Sequence, residues 1–148
     1  MAQESIESSV IIHRSVEEVF AFVENPENSP RWEGVESKRL DGELKEGTKV
    51  HVVTNIMGKR VEATATLIEV IPNRLTRFQA TTPFSHVVEH HYEPIEEGTK
   101  FTRKLVTDPK EAGGFAKFAK SLMLNAAVKA TRKSVEDLKE LLEKTPAN

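Results

Sequence analysis

The sequence contains no cysteine. Disulfides, thiol catalysis and cysteine-bound metal are therefore excluded. It has no apolar run long enough to cross a membrane as a helix, so stable membrane insertion is not expected. The opening Met-Ala-Gln-Glu-Ser lacks the basic and apolar regions of a signal peptide, and a cytoplasmic protein is the expectation. Charge of one sign is also missing. The net charge is −2, which leaves no footprint for nucleic acid. The common catalytic fingerprints are absent: no G-x-G-x-x-G, Walker loop, H-E-x-x-H or G-x-S-x-G occurs. Gly113-Gly114 followed by Lys117 and Lys120-Ser121 has the wrong spacing for a phosphate loop and reads as a hinge.

What is present is a chain of 148 residues, 38% hydrophobic and 30% charged. That suits a single globular domain spanning residues 1–148. Its last third is one uninterrupted helix from Phe115 to about Lys144, free of proline until Pro146. Phe115, Phe118, Leu122, Ala126, Ala130 and Ser134 recur at three- and four-residue steps. Such a helix is on the order of 40 Å long. Heptad seams through Phe115 or Phe118 run into Lys129 or Arg132, which argues against a coiled coil. The helix should lie against the body of its own domain.

Upstream, Ser5 to Ile12 reads as a strand. Ser15-Val16-Glu17-Glu18 is a capping box opening a helix that carries Val16, Val19, Phe20 and Val23 inward. Asn25-Pro26 starts a second short helix that stops near Trp32 and Gly34. The period then changes to two. Val35 to Leu40 is a charged strand near a sheet edge, followed by strands around Val50 to Ile56, Val61 to Leu67 and Leu75 to Thr81. Phe84 to Tyr92 and Lys100 to Thr107 form a hairpin closed through Pro94 and Glu97-Gly98. Asp108-Pro109-Lys110-Glu111 is a cap signal before the long helix. Short turns between successive strands imply an antiparallel sheet. The fold class is α+β: a curved sheet of about seven strands gripping the long helix. Val61, Ala63 and Ala65 are small, and the helix opposes them with Ala119, Ala126, Ala127 and Ala130. Facing small residues allow either close approach or a cavity.

The order of elements and several local sequences resemble the START-like (SRPBCC) superfamily with its helix-grip fold, and within it the polyketide cyclase/dehydrase and lipid transport group. The resembling stretches are Val10 to Phe22, Asn25 to Trp32, Gly47 to Glu62, Tyr92-Glu93-Pro94 with Gly98-Thr99, and the final helix. The resemblance implies a hydrophobic tunnel between sheet and helix, entered near the hinge before that helix. It does not supply a chemistry, because one fold hosts many functions.

Under this reading Phe118, Leu122, Met123 and Ala126 line the tunnel from the helix, and Val61, Ala63, Ala65, Leu67, Phe78 and Phe84 from the sheet. Trp32 either joins them or packs in the core. The hairpin turn pairs strand positions so that Tyr92 faces Phe101, His90 faces Arg103, Val88 faces Leu105 and His86 faces Thr107. If that face is concave, a neutral His90 lies beside Arg103 with Tyr92 near by, able to hold a carboxylate or an enolate-like oxygen or to polarise a carbonyl. If it is convex, the strand is merely charged outside. A metal shared by the histidines is not expected, since His86 and His90 lie roughly 13 Å apart along a strand and His91 points the other way. Neither a cofactor nor a catalytic residue is assigned.

The basic residues Lys117, Lys120, Lys129, Arg132 and Lys133 form either a solvated face or a site for an acidic ligand or membrane headgroup. Leu124 and Val128 fall off the main stripe and are covered by another part of the chain or by a second protomer in a homodimer. The expected function is binding, and transport, of a small apolar or amphipathic ligand of the lipid, polyketide or isoprenoid class. An enzyme of the cyclase/dehydrase type and a protein-interaction module are the alternatives.

Overall fold

The computed structural model describes residues 4–56, 58–81, 85–107 and 114–144, with backbone alone at residues 4, 56 and 114–124. The elements are β1 (Glu4–Ile12), α1 (Val16–Val23), a 3-10 turn (Pro26–Asn28), α2 (Ser29–Trp32), β2 (Val35–Leu40), β3 (Lys49–Ile56), β4 (Lys59–Ile71), β5 (Leu75–Ala80), β6 (His86–Ile95), β7 (Gly98–Thr107) and α3 (Gly114–Lys144). The strands form one seven-stranded sheet in the order β1-β7-β6-β5-β4-β3-β2, antiparallel throughout. This is the expected helix-grip arrangement, with β1 and β2 at the edges. Among the described residues no helix is long and apolar enough to cross a membrane. The cap signal at Asp108–Glu111, the hinge residue Gly113, and Phe84 lie outside the described residues.

Local chemistry accounts for the first elements. The Ser15 hydroxyl accepts from the Glu18 amide at 3.2 Å and donates to the Glu18 carboxylate at the same distance. Both bonds of this box therefore run through the hydroxyl, not through the Ser15 amide. Val16, Val19 and Val23 are buried. Asn25 caps the 3-10 turn by accepting from the Glu27 amide at 3.1 Å, with Pro26 in the first position.

The β6–β7 hairpin is longer than the sequence implied. Pro94 does not end the strand; it pairs with Thr99, and Ile95 pairs with Gly98. The β5 ladder stops at His91, so Pro94 has no β5 partner to bond. Gly98 has φ +142°, and a Cβ there would overlap the Ile12 carbonyl oxygen and sit 2.9 Å from the Arg14 amide. The end of β1 thus passes against this turn at a distance only glycine permits.

The two described halves of α3 do different work. Val135, Leu138 and Leu142 are buried in a cluster with Ile12, Val16, Val19, Val23, Trp32, Tyr92 and Phe101. The Lys139 ammonium donates to the Ile11 carbonyl, and the Glu143 carboxylate accepts from the His13 amide at 3.0 Å. These bonds tie the helix end to the β1 edge. Toward its N-terminus the described stripe keeps the expected Ala127, Ala130 and Ser134 and departs from expectation at Ala126. Ala126 is exposed, and Ala127, Ala130, Thr131 and Ser134 face the sheet. Steps of three and four residues fit either set, so spacing alone does not choose between them. Val128 is exposed although Val135, one heptad on, is buried. The side chains of Phe118, Leu122, Met123 and Leu124 lie outside the described residues.

Gly98→Ala should lower stability by at least about 2 kcal/mol, because it adds a backbone clash to an unfavourable φ. Gly58→Ala should cost about 1 kcal/mol, since its φ is +87° but nothing lies within 4 Å of its Cβ. Urea unfolding of the two variants checks the difference. Equal losses would show that the close approach to β1 carries no energetic weight.

Candidate functional site

A cavity of about 310 Å³ lies between the concave face of the sheet and α3. Its walls are Val50 and Val52 of β3, Ala63 and Ala65 of β4, Phe78 and Ala80 of β5, Val88 of β6 and Leu105 of β7, with Ala127, Ala130, Thr131 and Ser134 above. The small residues on both layers leave the space, as facing alanines allow. Val35, Thr54, His86 and Lys104 also border it.

The cavity's polar groups include Glu33, Lys38, His90 and Arg103. Cross-strand register explains their grouping. Thr76, His90, Arg103 and Ser8 are successive partners across β5, β6, β7 and β1, so they form one row. Next to it runs the row Tyr92, Phe101, Val10. The first row makes contact with two glutamates just after the helices. Glu33, following α2, accepts from Arg103 Nη1 at 2.9 Å through Oε1 and from Lys38 Nζ at 3.1 Å through Oε2. Arg103 Nη1 also lies 2.9 Å from His90 Nε2. His90 Nδ1 lies 3.0 Å from Oε2 of Glu24, which follows α1. That same oxygen accepts from the Thr76 hydroxyl at 2.8 Å and from the Tyr92 hydroxyl. A continuous polar chain therefore runs Lys38–Glu33–Arg103–His90–Glu24–Tyr92 through buried ground.

The partners fix the proton on His90. A guanidinium only donates, so Nε2 must be an unprotonated acceptor; an ionised carboxylate only accepts, so Nδ1 must carry the hydrogen. His90 is thus neutral. Burial pushes its pKa down most strongly; Glu24 opposes this, Arg103 reinforces it, and the result lies below the ordinary 6.5. Burial would raise Glu24, but His90, Lys38 and the Tyr92 hydroxyl together hold its carboxyl below the usual value. Burial would likewise raise Glu33, and the Lys38 and Arg103 charges overwhelm it, leaving this carboxyl far below the usual range. Burial and the Glu24 charge push the Tyr92 phenol well up, so it remains a donor. Lys38 Nζ sits 4.5 Å from the Phe78 ring centroid, and the Arg103 guanidinium 5.2 Å from that of Trp32.

Of the residues expected at the site, Ala63, Ala65, Phe78, Val88, His90 and Arg103 border this cavity. Trp32 is 2% exposed and packs behind it, against His90 and Phe101. Tyr92 and Phe101 belong to the same core cluster as Trp32, and Leu67 to a second one with Val50, Ala65, Phe78 and Ala80. Val61 is half-buried and Ala126 exposed; neither borders the cavity. Sequence reasoning missed Glu24, Glu33 and Lys38. Lys38 escaped because β2 shifts register between Val35 and Ser37, which turns Lys38 and Leu40 inward with Val35. The alternation of the sequence puts Lys38 on the opposite parity from Val35. Among the described residues no three metal-binding side chains come together. Lys129, Arg132 and Lys133 are exposed, and Lys133 pairs with Asp137 at 2.7 Å.

Residues 3–143 match the family described as polyketide cyclase/dehydrase and lipid transport. Similar solved structures include the Zhui aromatase/cyclase from Streptomyces sp. R1128 (14% identity, TM-score 0.78, 97% of this chain and 95% of that one). TTHA0849 from Thermus thermophilus is 19% identical with TM-score 0.75, over 97% of this chain and 100% of that one. MLL2253 from Mesorhizobium loti is 13% identical with TM-score 0.76, over 97% and 100%. At these identities the likeness is one of fold. No curated protein sequence matches the chain.

The buried chain makes folding acid-sensitive. Folded His90 titrates below 6.5 and folded Glu24 and Glu33 below 4.5. As pH falls, the unfolded state takes up each proton first. Stability is therefore full near neutrality, declines below about 6.5 through His90, and declines further below about 4.5 through the carboxylates. The slope from His90 should approach about 1.4 kcal/mol per pH unit. His90→Gln keeps one acceptor and one donor but cannot titrate. Urea unfolding between about pH 7 and pH 5 should show a slope in wild type that this variant lacks. An unchanged slope would assign the acid sensitivity elsewhere.

Proposed function

The chain belongs to the polyketide cyclase/dehydrase and lipid transport family, and on that premise we propose that it binds one small, largely apolar molecule of the lipid, polyketide or isoprenoid class. The observation that carries this reading is the cavity itself: about 310 Å³, apolar around most of its wall, with the linked group Glu33, Lys38, His90 and Arg103 in its lining. Such a combination of apolar volume and a few placed polar groups suits a ligand whose body is hydrocarbon and whose orientation is set at one end. Arg103, Lys38 and His90 are the groups that would set it.

A second reading, a cyclase/dehydrase-type enzyme, is favoured by one specific arrangement. His90 has an unprotonated Nε2 at the cavity, and a carboxylate orients its other nitrogen. Its one lone pair accepts from Arg103, so His90 becomes a general base when that guanidinium turns from it to a substrate oxygen. The neighbouring guanidinium can polarise a carbonyl whose adjacent proton that base would take. The name of the Streptomyces structure, an aromatase/cyclase, is consistent with this reading but belongs to that protein. For a protein-interaction module no observation speaks: the large apolar side chains found exposed among the described residues, Ile11, Ile71 and Val128, lie on three separate elements.

A hydrophobic dye should bind at about one per chain, and native mass spectrometry of freshly purified protein should reveal a co-purifying small molecule. Ala65→Trp fills the cavity between β4 and α3 and should abolish dye binding while lowering the unfolding free energy by no more than about 3 kcal/mol. Dye binding unaffected by this substitution would place the dye elsewhere and remove the support for a ligand cavity here.

A further inference from the structure

Two of the cations that line the cavity, Lys38 and Arg103, look ready for an acid, yet both are already occupied. Glu33 gives one oxygen to Arg103 and the other to Lys38, and its side chain is 6% exposed. The titratable groups around His90 and along the cavity come from several elements. Glu24 follows α1, Glu33 follows α2, Lys38 comes from β2, His86 and Tyr92 from β6 and Arg103 from β7. Thr76 and Phe78 of β5 and Thr131 and Ser134 of α3 carry no charge. Lys104 borders the cavity from the opposite-parity row, where its register partners are the acids Glu7 and Glu89. With His90 neutral, two buried carboxylates balance two buried cations. A ligand carboxylate would arrive as a third anion beside Glu33, where like charge and lost hydration both oppose it.

Donor capacity remains even so. A guanidinium has five N–H donors, and the bonds to Glu33 and His90 both use Nη1. An ammonium has three, and one is directed to Glu33. An uncharged oxygen can accept from these groups without disturbing an existing pair. Resting on the binding reading above, we propose that the cavity selects an uncharged oxygen acceptor, such as a ketone, and rejects organic acids, with Glu33 as the specificity-determining residue because it serves as the built-in counter-ion to Lys38 and Arg103. The same charge balance assigns a route by which an acid enters. A proton restores the balance, either on His90 Nε2, where it replaces the bond from Arg103, or on the ligand carboxyl itself. Acid binding is therefore coupled to uptake of one proton, and ketone binding is not.

The test is displacement of the bound hydrophobic dye by 2-decanone and by decanoate, which share a chain length and differ in charge. At about pH 8 the ketone should displace dye from wild type at a concentration at least about tenfold lower than decanoate. Decanoate should strengthen by up to about tenfold per pH unit on acidification while the ketone stays constant. Calorimetry in two buffers of different ionisation enthalpy should show proton uptake with decanoate alone. Glu33→Gln, which leaves both cations without their counter-ion, should reverse the preference. Should that variant fail to fold, the wild-type ratio and the proton count decide the matter by themselves. Decanoate displacing dye at about pH 8 as well as the ketone would overturn the selectivity while leaving the ligand cavity standing. Failure of wild type to bind dye at all would overturn the cavity reading, and the proposal with it.

Discussion

A charge taken out of water must be answered by another charge or by hydrogen bonds, and here that requirement links six parts of the chain. Glu24 closes α1, Glu33 closes α2, Lys38 lies on β2, Thr76 on β5, His90 on β6 and Arg103 on β7. None of the ionised members could stay buried alone. Each is tolerable because the next supplies what it lacks: Glu33 neutralises two cations, Arg103 donates to a neutral imidazole, and that imidazole donates to Glu24. The chain ties the short helices to the middle of the sheet. Four of its members, Glu33, Lys38, His90 and Arg103, also border a mainly apolar cavity. Packing and the proposed binding thus rest on the same contacts, and a change at one member propagates through the others.

The sequence disclosed the sheet half of this site and concealed the helix half. His90 and Arg103 could be paired in advance because a two-residue turn fixes the register of a hairpin, and register fixes both the partner and the face. The pairs from Ile95↔Gly98 outward follow that rule without a slip. Glu24 and Glu33 obey no such rule. Each follows a short helix directly, where the local pattern is that of a solvated helix end; only the tertiary fold turns them inward. Lys38 was hidden by an irregularity that periodicity cannot register. The proline in β6 misled for the opposite reason: it is a strong breaker in a central ladder, but here it sits past the end of the neighbouring strand.

The long helix shows the same division. Its existence, and its limits to within a residue, could be read from an unbroken run lacking proline. Its rotation was legible at Ala127, Ala130 and Ser134 and misread at Ala126. Alanine contributes little to an apolar stripe, so the sets through Ala126 and Ala127 are nearly equivalent on paper. What decides between them is the larger side chains further on. Val135, Leu138 and Leu142 lock into the cluster with Ile12 and Trp32, and the rotation they impose brings Ala127, Ala130, Thr131 and Ser134 over the cavity.

That locking has a mechanical corollary. The helix is clamped near Leu138 to Glu143 by apolar contacts and by bonds to the β1 edge, while above the cavity it presents alanines and two hydroxyl residues. Among the described side chains of the helix, those that anchor it lie at this end. At about 1.5 Å per residue, Ala127 lies about 16 Å from Leu138 along the axis. A tilt of about 4° at the clamp therefore raises or lowers the roof by about 1 Å without breaking a contact in the clamp itself. The depth of the cavity follows that angle, and the lining alanines Ala127 and Ala130 suit a range of settings because a methyl group protrudes little.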